Sequence, residues 1–104
     1  MTAGEQQLLR LLHDAYVRAK NEVGYHATIF IQMLDSRGAL STARFLINSA
    51  KPSEGYTALW ERGRLDLTVE AVVLENAEIH YLFESSDLDK ARKRLVQYGY
   101  NVPR

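Results

Sequence analysis

The stretch GYTALWERGRLDLTVEA, residues 55–71, decides how this chain is read. It carries the only tryptophan, Trp60, together with Tyr56, Leu59, Leu65, Leu67 and Val69. Arg62, Gly63 and Arg64 interrupt it, so it divides into two short elements around a tight turn. Pro52 forces an extended residue before it, and Ser53 is a good N-cap for a helix over 54–62. That helix points Leu59 and Trp60 inward and stops at Gly63. As a core anchor, Trp60 would cost about 3–5 kcal/mol on truncation to alanine.

The second half supports two readings. Leu65, Leu67, Val69, Ala71 and Val73 alternate with Arg64, Asp66, Thr68 and Glu70, the period of a half-buried strand. Ile79, Tyr81 and Phe83 alternate likewise, so an α+β fold with a hairpin at 64–83 is the fallback. At period 3.6, Leu65, Val69, Val72 and Val73 share one face, with Asp66 as N-cap. The loop lacks Asn-Gly or Asp-Gly, and Val72, Val73 and Leu74 break the alternation. Helix is the reading adopted.

Working outward, the remaining segments all read as helices. Leu8, Leu12, Ala15, Ala19 and Val23 recur at three and four, predicting a helix over 4–22 that Gly24 stops. Residues 25–36 are apolar on most sides, which predicts a central helix carrying Phe30. Residues 39–49 repeat the amphipathic pattern after Gly38. Leu88, Ala91, Leu95 and Tyr98 form the seam of a last helix, 86–98, whose Ser86 and Asp89 have capping-box spacing. Gly99 and Tyr100 fit its stop. The expected fold is a single all-α domain, 1–104, of five to seven short helices. Its core residues are Trp60, Leu59, Val69, Phe30 and Leu95.

Composition narrows the function classes. A chain of 104 residues buries roughly 60–65% of its unfolded surface, enough for one core. Thirteen Lys and Arg balance thirteen Asp and Glu, so no bulk attraction to nucleic acid or anionic membrane is expected. The chain contains no cysteine, which excludes disulfides, thiolate metal sites and cysteine nucleophiles. No stretch reaches the roughly 20 apolar residues of a membrane span, and Glu5 and Asp14 make the first segment unlike a signal peptide. A cytoplasmic setting is the expectation.

No catalytic or cofactor fingerprint is present. His13, His26 and His80 are scattered, without HExxH or paired-ligand spacing. Glu61, Asp66 and Glu70 are near one another in sequence, but carboxylates without a cleft do no acid–base chemistry. A non-enzymatic protein is expected, with no cofactor and no metal.

Two surface signals remain. Gly63 has the position of a helix-turn-helix turn, yet the second helix would offer Asp66, Thr68, Glu70 and Glu75, which phosphates repel. From Lys90 onward, Arg92, Lys93, Arg94 and Arg104 occur without an acid, whereas 66–89 holds acids and no Lys or Arg. A macrodipole-matched surface helix explains that split as well as a docking face does. Arg62, Arg64, Lys90, Arg92, Lys93 and Arg94 are the candidate interaction residues. The six tyrosines suit an interface equally. The functional expectation is a protein–protein interaction module, with a protein partner or a second copy. The alternative is a nucleic-acid-binding regulator using 55–75 or the basic helix 86–98.

GYHATIFIQML, KPSEGYTALWERGRLDLTVEAVVL, the Ser-Ser-Asp start and ARKRLVQYGY together resemble a group of small bacterial proteins of no assigned function. The resemblance covers about residues 24–100. Its marks are Gly55, Tyr56, Leu59, Trp60, Gly63, Arg64, Leu65, Asp66, Leu67, Val69 and Glu70. It implies a bacterial cytosolic protein with helix at 66–75, and supplies no activity, cofactor or binding residue.

Overall fold

The shortest α-helix occupies the centre. The structure, a computed structural model, describes residues 2–103. It contains six α-helices: α1 Ala3–Val23, α2 Thr28–Arg37, α3 Ala39–Asn48, α4 Glu54–Glu61, α5 Val69–Glu75 and α6 Ser85–Gln97. Two 3-10 segments, Leu65–Leu67 and Ala77–Leu82, flank α5. In α5, Glu70, Ala71, Val72, Val73 and Leu74 are consecutive and all buried. A helix apolar all round must be covered on every side. Here α1, α3, α6 and both 3-10 segments supply the cover. No strand is present among the described residues, so the hairpin fallback is not formed. The all-α fold is the one observed.

The alternation that suggested a strand has a local cause. Leu65–Leu67 makes one 3-10 turn, Thr68 is extended, and α5 begins only at Val69. Thr68, not Asp66, is the N-cap: its hydroxyl accepts from the Ala71 amide at 3.2 Å and donates to the Leu65 carbonyl at 2.7 Å. Asp66 is instead held by Arg64. The expected single helix is thus two pieces hinged on one threonine.

Helix ends account for most of the chain path. Ser53 caps α4 as expected, accepting from the Tyr56 amide. Gly63, at φ 71°, lets Arg64 donate to the Leu59 carbonyl at 2.8 Å while its own N–H reaches Trp60. That is a Schellman stop. The same pattern closes α6, where Gly99 and Tyr100 return to Val96 and Leu95. The α6 start differs from expectation. Glu84 is the N-cap and Asp87 completes the capping box, two residues ahead of the Ser86–Asp89 pairing.

The buried residues form two clusters. The larger joins Leu8, Leu12, Ile47, Val73, Ile79 and Leu95 with their neighbours, and Phe30 and Val69 pack on it half-buried. The smaller joins Ala19, Leu59 and Leu67. Two expectations fail here. Helix α2 is peripheral, not central: only Leu34 is buried, and Ile29 is exposed. Trp60 is 46% exposed and is no core anchor. It lies one turn beyond the buried Tyr56, at the edge of the inward face that Tyr56 and Leu59 fill.

Because Thr68 alone separates the two pieces around the central helix, Thr68→Ala is expected to cost about 1 kcal/mol. Urea denaturation should record this as a lower midpoint with an unchanged slope.

Candidate functional site

Two features stand apart from ordinary core packing: an aromatic ladder ending at Trp60, and a pocket whose wall contains a buried carboxylate. Both start from one ion pair. Arg94 Nη1 lies 2.9 Å from Glu70 Oε2, with side-chain exposures of 11% and 3%. The same guanidinium donates to the carbonyls of Leu46 and Ser49 at the end of α3. An arginine fork suits this because its several donors are held in a fixed plane. Burial raises the Glu70 carboxyl above the usual glutamate range, and the hydrogen bond from Arg94 opposes that shift.

The ladder rises from this pair. The Tyr56 hydroxyl donates to the Arg94 carbonyl at 3.2 Å, and burial, reinforced by Glu70, pushes that hydroxyl up from the usual tyrosine range. Tyr56 meets Tyr98 edge-on at 5.2 Å between centroids. Tyr98 meets Trp60 edge-on at 5.5 Å and 81°. Such edge contacts are the favoured geometry for aromatic pairs. Trp60 is therefore propped in place on a side that faces solvent.

The pocket, of 320 Å³, lies between α1, α2, α4 and the 67–70 segment. Its walls draw on both core clusters, with Leu12 and Tyr56 from one and Ala19, Leu59 and Leu67 from the other. Ile29, Phe30 and Met33 of α2 close one side. Glu70 is its buried acidic residue.

The expected interaction residues do not form one patch. Arg94 is turned inward, as above. Arg92 donates to the Pro103 carbonyl at 2.7 Å, and Lys90 donates to Asn48 at 2.7 Å. Arg64 bridges Glu22 at 2.7 Å and Asp66 at 3.0 Å, joining the end of α1 to the turn after α4. Hydrogen bonds from Arg18 and then Arg64 hold the Glu22 carboxyl down at about 2. Arg62 is exposed and lies over the Tyr25 ring at 5.3 Å. Lys93 is exposed on α6, and Arg104 lies outside the described residues. The helix-turn-helix spacing has no matching geometry either, because five of the seven residues of α5 are buried.

Sequence reading missed a third polar site, at Asp87, which is 1% exposed. Its carboxylate accepts from Asn48 at 2.8 Å, Arg44 at 3.0 Å and the Glu84 amide at 3.0 Å. Burial works against the charge. The Asn48 amide, the Glu84 N–H and Arg44 together outweigh it and hold the carboxyl below the usual aspartate range. Asp87 thus serves α6 as cap and α3 as anchor. His80 Nε2 lies 2.7 Å from the Val73 carbonyl, a structural role. Among the described residues no group of three potential ligands is placed to hold a metal ion, and no helix is long and apolar enough to cross a membrane.

Comparison of the chain with protein-family models, with curated proteins and with solved structures finds no match.

Removing Arg94 leaves Glu70 buried without its counter-charge. Arg94→Ala is therefore expected to destabilise by about 3–5 kcal/mol in urea or thermal unfolding. Asp87 gives a pH signature. A carboxyl held low in the folded state stabilises above its unfolded pKa, and that stability is lost as pH falls through the folded value. Asp87→Asn should be less stable than wild type at neutral pH and lose less stability on acidification below about pH 4. Thermal melts from pH 7 to pH 2 check both points.

Proposed function

We propose that this chain is a non-enzymatic, cytoplasmic protein–protein interaction module whose contact surface is centred on Trp60. The observation that carries the reading is the 46% exposure of the only tryptophan, on a ring fixed edge-on by Tyr98. Tryptophan is enriched among residues that dominate binding energy, and a prearranged ring loses little conformational freedom on association. Thr57 and Glu61, both exposed on the same helix, supply polar surface beside it.

The nucleic-acid alternative has no comparable support. Helix α5 has no free face to lay in a groove. Arg92 and Arg94 of the basic helix are committed to intramolecular carbonyls, and phosphate binding depends on cations left free to neutralise charge.

Trp60→Ala is the test. It is expected to cost only about 1–2 kcal/mol of stability, the loss of one aromatic pair and part of a side chain's burial. It should nonetheless abolish either retention of a specific partner from the host lysate or concentration-dependent self-association in sedimentation. Since Trp60 is the sole fluorophore of its kind, its emission should also shift to the blue as the wild-type complex forms. A monomer at every concentration, with identical retention profiles for the two proteins, would overturn the proposal.

A further inference from the structure

The pocket shares Tyr56 with the aromatic ladder, but Trp60 does not line it, so it is a second site. Its volume of 320 Å³ falls at the lower end of the range for small-molecule pockets, roughly 300–1,000 Å³. It has space for about ten waters at roughly 30 Å³ each. Aliphatic and aromatic side chains, methionine among them, make most of its wall.

Its polar groups decide the ligand. Ser53 and Thr68 line it, but both hydroxyls are used as helix N-caps. Tyr56 lines it, and its hydroxyl is spent on the Arg94 carbonyl. Glu70 is different: Arg94 reaches its Oε2 and its own backbone N–H also bonds the carboxylate, yet two carboxylate oxygens have capacity for a further donor. The wall therefore presents an acceptor in an apolar setting. An anionic ligand would bring a second negative charge beside Glu70, with Glu54 at the pocket as well. A cationic ligand would compete with Arg94 for the same carboxylate. Tyr16 and Tyr25 line the pocket half-buried and His26 and Thr28 exposed, which leaves Glu70 as its buried charged acceptor and favours a neutral molecule, mostly hydrocarbon, with a donor.

We propose that the pocket between α1, α2 and α4 binds a small neutral aromatic or aliphatic compound of about ten heavy atoms, whose single O–H or N–H donates to Glu70. Helix α2 is the wall that yields on entry. It buries only Leu34, and its N-terminus has no side-chain cap. Ala27, at that N-terminus, lines the pocket.

Three probes of one shape test this on the full chain by amide chemical-shift titration: 4-ethylphenol, ethylbenzene and 4-ethylbenzoate. The expected result is saturable shifts with 4-ethylphenol, confined to the lining segments 12–19, 25–33, 53–59 and 67–70 and to Leu46. Ethylbenzene should bind about tenfold more weakly, having lost the hydrogen bond to a charged group. The benzoate should bind most weakly of the three. Ala27→Phe should block 4-ethylphenol while leaving the fold intact. Glu70→Gln should weaken 4-ethylphenol relative to ethylbenzene, with its melting temperature recorded alongside. Absence of saturable shifts from all three probes, or shifts lying elsewhere, overturns the site. Equal binding of ethylbenzene, or tighter binding of the benzoate, overturns the role of Glu70. Neither result depends on whether Trp60 contacts a protein.

Discussion

The buried pair of Glu70 and Arg94 is the constraint on which the rest of the fold depends. Helix α5 is only seven residues long, too short to be stable by its own hydrogen bonds. It persists because it is surrounded, and Arg94 links three of the elements involved. The side chain leaves α6, pairs with Glu70 on α5 and bonds two carbonyls at the end of α3. The Leu46 carbonyl also accepts from the Ser49 N–H, so Arg94 adds a second donor there and a donor for the Ser49 carbonyl at the helix end. Desolvating two charges is expensive, and the pair adds less net stability than its geometry suggests. Its value is in register: one rotation of α6 relative to α5 leaves a charge buried alone, so only one docking of these helices is tolerated.

How much of this was legible follows from the same balance. Helix periodicity and the glycine stops were readable because they are local: Gly24, Gly63 and Gly99 take positive φ where the sequence predicted helix ends. The assignment of the central helix was not. Residues 25–36 look apolar all round, whereas VEAVVLE looks amphipathic because glutamates bracket it. Burial was decided by long-range pairing, since Glu70 can enter the core only with Arg94, 24 residues away. Asp87 was hidden for the same reason: its partners Arg44 and Asn48 lie on α3. The basic run after Lys90 read as a surface because charge at helical spacing usually is one. Here two of its arginines close carbonyls inside the fold.

The two candidate sites are consequences of that economy. A chain of 104 residues has limited apolar surface with which to cover a helix on all sides. Helices α1, α3 and α6 and the 3-10 segments are committed to α5. Helix α2 is left to pack mainly on α3 and α1, which explains both its exposed Ile29 and the space behind it. The same limit acts on α4. Its inward face is filled by Tyr56 and Leu59, and Tyr56 must stand upright to reach the Arg94 carbonyl. Tyr98 then fills the gap beside Tyr56, and the next ring outward, Trp60, has no core left to enter. A tryptophan held at the surface is thus the outer end of a chain of contacts that begins at a buried carboxylate. Rigidity there comes from the interior, and the proposed contact surface at Trp60 draws on it.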